Sequence, residues 1–246
     1  MELPVIQRIG TALRTQRVAR EFGMEPLARV LAAYLPEDQI REVRRAYEFG
    51  AREHQGQKRK AGEPYIFHPL AVARILAEMR MDATTLVAAI LHDVIEDTGV
   101  SKDEVAQKFG KDVAELVDGV SKIGQAESFR KLLLAMTQDL RVILIKLADR
   151  LHNMRTIDSM SSEQRKRISR ETLDIYAPIA QRLGIHSMRV ELEDLAFSNL
   201  YPKRFSALAT SIAKQMGDAK KLVKQVEQKL SKHLREEGIG ATVVGR

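Results

Sequence analysis

ATTLVAAILHDVIED, residues 83–97, is the stretch on which the reading of this chain turns. Its apolar residues recur at helical spacing over a length that suits a helix better than a strand, so one buried helix is expected from Ala83 to Asp97. That helix carries His92, Asp93, Glu96 and Asp97, and charges among Leu, Val, Ala and Ile are costly unless paired, hydrated or metal-bound. Asp93, Glu96 and Asp97 are three and four residues apart and share one face. Their like charges repel. The plainer reading, an acidic helix end before Thr98-Gly99, conflicts with the negative pole of the helix dipole. A divalent cation would reverse the penalty. A His-Asp dipeptide alone is weak evidence for one, so the flanking sequence has to supply further ligands.

Outward from this segment the pattern is helical from end to end, and strand-like alternation is scarce. Pro36-Glu37-Asp38 reads as a first helical turn, with the helix running to about His54. Gly56 to Phe67 is expected as a polar loop. Pro69 opens the next helix, to about Met79, and biases His68 out of the helical region. Further helices are expected at Lys102–Phe109, Lys111–Val120, Ala126–Met154 (continuous or broken), Ser162–Leu183, His186–Asn199 and Phe205–Glu237. The fold class is all-α. Residues 1–34 read as an added helical arm, 35–200 as the main domain and 201–246 as a helical linker.

Two candidate ligand positions lie outside the first segment. In LIKLADRLHN, residues 144–153, Asp149 and Asn153 face the same way; the alternative is a surface pair of Asp149 with Arg150 or Lys146. In YIFHP, residues 65–69, His68 is the nearest imidazole to add to His92, although a lone His after aromatic residues is more often a packed one. Together His68, His92, Asp93 and Asp149 give four nitrogen and oxygen donors. Two octahedral positions are left for water or phosphate oxygen, which suits Mn²⁺.

Composition narrows the alternatives. The chain has 246 residues, 44% hydrophobic and 30% charged, as in ordinary globular proteins. There is no cysteine, which excludes disulfides, thiolate metal sites and a cysteine nucleophile. No basic start followed by an unbroken apolar run marks a secretory signal, and the longest apolar runs are too short to span a bilayer. A cytoplasmic protein without a membrane partner is expected. The net charge of +7 is concentrated at the end: residues 203–246 hold ten Lys/Arg against four Asp/Glu. Such a run is more often a solvated helix face than a nucleic-acid surface.

The order of these motifs resembles the HD superfamily of metal-dependent phosphohydrolases. Arg59-Lys60-Ala61-Gly62-Glu63-Pro64-Tyr65-Ile66-Phe67-His68-Pro69, the Leu91–Thr98 segment, the Val142–Arg150 segment and Arg182-Leu183-Gly184-Ile185-His186 narrow the resemblance. They look like the long bifunctional guanosine tetraphosphate hydrolase/synthetases of the bacterial stringent response, over roughly Leu35 to Tyr201. That resemblance implies an HD-type helical fold with Mn²⁺ held by His68, His92, Asp93 and Asp149. It implies that Glu96 and Asp97 position or deprotonate the attacking water. Arg59 would lie against the guanine, Lys60 near phosphate, and Asn153 and Thr156 against the ribose. The implied reaction removes the 3′-pyrophosphate from guanosine tetra- or pentaphosphate, leaving GDP or GTP.

Two departures qualify it. Only Ile123-Gly124-Gln125 stand where the family usually carries about ten more residues, a basic loop over the site. Either the loop is short in this chain or the sequence lacks part of it. The chain also reaches Val243-Val244-Gly245-Arg246 where the family's synthetase half begins, so a hydrolase half is implied without synthesis, and a ribosome or other regulatory partner only through absent C-terminal domains. Rival readings are an HD nucleotidase for another nucleotide, a degenerate binding module, and RNA binding through the basic tail. The intact ligand set and the Arg59-Lys60 approach favour the hydrolase.

Overall fold

The structure, a computed structural model, describes residues 23–124, 139–241 and 243. Helices make up its regular structure, and the described residues contain no strand beyond one isolated bridge between Lys58 and Pro64. The all-α expectation holds. The described part falls into two compact units, one ending at Leu195 and one beginning at Ala196.

The first unit is built around α4 (Ala83–Leu91), which packs against α2 (Glu37–Glu53), α3 (Phe67–Glu78), α7 (Lys111–Gly124) and α8 (Leu140–Arg155). Asp82 starts α4 as its N-cap, accepting hydrogen bonds from Thr85 N and Thr85 Oγ1. From there Leu86, Val87, Ala88, Ala89, Ile90 and Leu91 are all buried, as an apolar helix without a polar stripe must be. The small helix α1 (Met24–Leu31) packs on α2 and α3, burying Met24, Leu27 and Leu31. That part of the segment read as an added arm therefore contributes to the same core.

The helix expected over residues 83–97 is broken. It ends at Leu91, turns through His92 and Asp93, and resumes as the single turn α5 (Val94–Asp97). The cause is local: His92 Nδ1 donates to Ala89 O at 2.8 Å, the acceptor that Asp93 N–H would use in a continued helix. Asp93 becomes the N-cap residue of α5, a single turn that Asp97 ends, so Glu96 and Asp97 lie within one turn of the Asp93 cap. The second correction concerns His68. α3 begins at Phe67, which puts His68 inside its first turn with Pro69 one residue later. A proline in the first turn gives up an N–H that has no helical partner there, so the helix absorbs it without loss.

The two helices α6 (Lys102–Phe109) and α7 follow as expected, α7 running four residues further than the pattern suggested. The helix expected over 162–183 is α9 (Ser162–Glu171), a π-type turn at Thr172–Tyr176 and α10 (Ala177–Arg182). A left-handed Gly184, with φ 74°, then closes the helix: Gly184 N donates to Gln181 O and Ile185 N to Ala180 O. That is a glycine C-cap, and it gives the Arg182–His186 motif a physical purpose. α11 (His186–Leu200) follows. The second unit contains α12 (Pro202–Glu236), 35 residues long. Residues 125–138 lie outside the described residues, and with them Gln125 and the start of the helix expected from Ala126, while Ile123 and Gly124 end α7.

Among the described residues no helix is long and apolar enough to cross a membrane. Gly50 of α2 lies close to α4 and to the start of α3: a Cβ there would stand 3.3 Å from Ile66 Cδ1 and 3.6 Å from Ile90 O. Gly50→Leu should therefore destabilise the protein by about 1–3 kcal/mol through overpacking. A urea midpoint equal to wild type would refute this contact.

Candidate functional site

Four helices bring their polar residues to one place. His68 comes from the first turn of α3, His92 and Asp93 from the break after α4, Asp97 from α5, and Asp149, His152 and Asn153 from the C-terminal half of α8. His68, His92 and Asp93 each place one donor atom within 4.8 Å of the others. His92 Nε2 lies 3.0 Å from Asp93 Oδ2, and His68 Nε2 lies 3.7 Å from the same oxygen and 3.2 Å from Asp149 Oδ1. The four residues read as ligands are thus gathered, with Asp149 joined through His68.

Burial makes the arrangement electrostatically demanding. His68, His92 and Asp149 are 4, 1 and 6% exposed. Burial pulls the His68 imidazole below its ordinary range. Burial opposes a charge on His92 too, but Asp93 beside it prevails and raises the ring to about 9. Burial pushes Asp149 up, yet Lys146 and His68 hold its carboxyl well below the usual range; Asp93 is lowered against burial in the same way by His92. Lys146 Nζ stands 3.0 Å from Asp149 Oδ2. So the pairing with Lys146 weighed from the sequence exists, but as a buried contact rather than a surface one. Arg150 turns elsewhere, to Glu171 at 2.7 Å and over the Tyr176 ring at 4.1 Å.

The donor set fits a divalent cation. His92 Nδ1–H is committed to the Ala89 carbonyl, and His92 Nε2 is buried without a hydrogen-bond partner although Asp93 Oδ2 is near. An imidazole whose Nδ1–H is anchored on a backbone carbonyl, leaving Nε2 to a metal, is the usual form of a histidine ligand. Nitrogen and carboxylate donors of this kind suit Mn²⁺, Fe²⁺ or Zn²⁺.

The remaining predicted residues surround this cluster. Glu96 and Asp97 are exposed. Asp97 is tied to Asp93 by one hydroxyl, since Tyr65 OH lies 2.7 Å from Asp93 Oδ2 and 2.8 Å from Asp97 Oδ2. Arg59 reaches α8, its Nη2 donating to Asn153 Oδ1 at 2.8 Å, and Asn153 Nδ2 donates to Asp149 Oδ1 at 2.6 Å. Thr156 caps α8, its hydroxyl donating to His152 O, and with His152, Arg74 and Arg155 it lines a cavity of about 420 Å³. Lys60 is exposed and donates to Gln164 Oε1 at 2.9 Å, apart from the ligand cluster.

Sequence reasoning gave no role to Tyr65 or His152, and weighed Lys146 only as a surface partner of Asp149. Tyr65 was visible only as part of a motif, and its effect depends on the loop returning from α2. The loop is held by a buried His54, whose ring stacks on Tyr65 at 4.7 Å and whose Nδ1 lies 2.8 Å from Gln57 Oε1; Gln57 in turn donates to Asp97 O. His152 had a signal, three residues after Asp149 on the same helix, and its ring is pulled down to about 3 by burial and by the nearby His68 and Arg59.

A family model described as an HD domain matches residues 46–186. The chain belongs to the HD domain family. Its HD-type fold carries every ligand position discussed above. Over 235 residues this HD chain is 50% identical to the bifunctional (p)ppGpp synthase/hydrolase SpoT of Escherichia coli K12, covering 92% of this chain and 34% of that protein. A guanosine-3′,5′-bis(diphosphate) 3′-pyrophosphohydrolase of Vibrio cholerae is also 50% identical, with 92% and 33% covered. A GTP pyrophosphokinase of Myxococcus xanthus is 45% identical over 229 residues, with 88% and 30% covered. The chain thus spans about a third of the length of the curated relatives it matches. A solved metazoan ortholog of SpoT is 25% identical with a TM-score of 0.46, covering 75% of this chain and 98% of that one.

Lys146 is the cation closest to Asp149, and both are largely buried. Removing one partner of such a pair costs roughly 3–5 kcal/mol. Lys146→Met should lose that much stability in chelator-treated protein, measured by urea denaturation; a loss below about 1 kcal/mol, the worth of a surface pair, would reject the buried-pair account.

Proposed function

We propose that this chain is a divalent-metal phosphohydrolase that removes the 3′-pyrophosphate from guanosine tetraphosphate or pentaphosphate, with GDP or GTP and pyrophosphate as products and Mn²⁺ as the metal. The observation that carries the reading is the convergence of His68, His92, Asp93 and Asp149, with Asp97 joined to it through Tyr65 and Arg59 through Asn153. The names of the relatives supply the substrate. In this reading residues 35–200 carry the chemistry, 201–246 form a helical linker beyond it, and the protein works in the cytoplasm.

His68, His92, Asp93 and Asp149 would hold the ion, which when bound lowers the pKa of water and offsets charge on phosphate oxygens. Glu96 and Asp97 orient the attacking water and take its proton, for which their exposure and the Tyr65 bridge to Asp97 suit them. The water oxygen attacks phosphorus, the bond to the 3′-oxygen breaks, and that oxygen takes up the proton removed from water and leaves as the ribose hydroxyl. Arg59 offers a flat cation that stacks on a base and neutralises an anionic substrate. Asn153 and Thr156 contact the ribose, with the adjoining cavity beside Thr156 available to the nucleoside. Lys60 meets phosphate after releasing Gln164.

The decisive assay incubates guanosine tetraphosphate with the protein and Mn²⁺, then with chelator, and separates nucleotides by chromatography. GDP and pyrophosphate should form only with the metal; turnover of dGTP or a cyclic dinucleotide instead would reassign the substrate. In the same assay Glu96→Ala should lower kcat by about 10²–10⁴ while Mn²⁺ uptake persists, since a proton acceptor is lost and not a ligand. Loss of Mn²⁺ binding would move Glu96 into the ligand set.

Arg59→Ala should act mainly on substrate binding and so raise KM more than it lowers kcat. Steady-state kinetics with an unchanged KM would dismiss Arg59 as the base contact.

A further inference from the structure

One nitrogen of His152 serves two neighbours. Its Nδ1 lies 3.1 Å from Arg59 Nη1 and 2.8 Å from His68 Nδ1. A guanidinium only donates hydrogen bonds. His152 Nδ1 must therefore turn a lone pair toward Arg59, which puts the His152 hydrogen on Nε2. The same lone pair faces His68. Two bare nitrogens at 2.8 Å would repel each other, so the hydrogen between the rings belongs to His68 Nδ1. With that hydrogen on Nδ1, the nitrogen left for a metal ion is Nε2, the atom 3.2 Å from Asp149 Oδ1 and 3.7 Å from Asp93 Oδ2.

His92 reaches the same state by simpler means, since its Nδ1 donates to the Ala89 carbonyl, which can only accept. His68 lies in the first turn of its own helix and no backbone carbonyl partners its Nδ1; a side chain on α8 does that work instead. We propose that His152 is a positioning residue that holds His68 in the tautomer protonated on Nδ1, so that Nε2 is presented to a metal ion. The proposal rests on reading His68 as a metal ligand. It also explains why a histidine occupies a crowded position. The rings of His68 and His152 are 4.9 Å apart, and His152 lies within a closed circuit of hydrogen bonds and close contacts through Arg59, Asn153 and Asp149 back to His68. An aliphatic residue would fill the space and leave the tautomer unset.

The test has two readouts on the whole chain. The first is nitrogen-resolved NMR of the imidazoles in metal-free wild-type protein under mildly alkaline conditions. His68 should carry hydrogen on Nδ1 and His152 on Nε2; a His68 protonated on Nε2 alone overturns the proposal. The second is Mn²⁺ affinity by calorimetry. His152→Leu should weaken binding by roughly 10–100-fold, the usual effect of removing a ligand's outer partner. His152→Asn places an amide oxygen near the position of Nδ1 and should restore wild-type affinity. Leu binding as tightly as wild type, or Asn as weakly as Leu, rejects the role. Should the Leu variant fail to fold, the wild-type spectrum and the Asn variant still decide. Wild-type protein that takes up no Mn²⁺ would sink the functional reading, and the tautomer would be judged from the metal-free spectrum alone.

Discussion

Two carboxylates, Asp93 and Asp149, approach one imidazole nitrogen inside a helical core, and most of the site follows from the need to neutralise them. In water two acids at such range would separate. Here the helices forbid it, because Asp149 projects from α8 and Asp93 from the turn after α4, and both helices are locked by buried Leu, Ile and Val. Lys146 compensates part of the charge, Tyr65 and Asn153 donate to the oxygens, and the two histidines complete the shell. A bound cation would do what these partners do incompletely. That is why the donor chemistry, rather than the shape of a pocket, identifies the site.

The break in the helix over residues 83–97 is part of the same constraint. In an unbroken helix His92 would have no claim on the Ala89 carbonyl, and its ring could carry its hydrogen on either nitrogen. By taking that carbonyl the ring interrupts the ladder, fixes its own tautomer and turns the chain so that Asp93 begins a new helical turn. The lost backbone hydrogen bond is exchanged for a side-chain one of similar strength. A local irregularity therefore carries a positional gain.

What could be read in the sequence was what depends on residue type and spacing. The helices appear as apolar periodicity, and Gly184 or Asp82 mark ends through backbone chemistry that any context would require. The four candidate ligand positions could be singled out because a charge in an apolar segment demands explanation wherever it occurs. The break at His92 was not readable, since it depends on one ring taking one carbonyl, and periodicity over Ala83–Asp97 is the same with or without it. His68 was placed outside its helix because the residue before proline disfavours the helical region, a preference that packing of α3 against α4 overrode. His152 and Tyr65 matter only through partners 84 and 28 residues away in sequence, which no local pattern encodes.

On the proposed function, the division of the site between dry and wet residues matches a division of roles. His68, His92 and Asp149 are sealed from solvent, while Glu96 and Asp97 are exposed on the turn that follows. Ligands gain from a low-dielectric setting, where attraction to a cation is strengthened and competing water is excluded. A group that must take a proton and release it again on every turnover gains from contact with solvent. Placing both kinds of acid within five residues, Asp93 to Asp97, is possible because the helix break swings the chain from core to surface between them. Tyr65 spans that boundary, with its hydroxyl on one acid from each side. The same short segment can thus hold charge fixed at one end and exchange protons at the other, which a straight buried helix could not do.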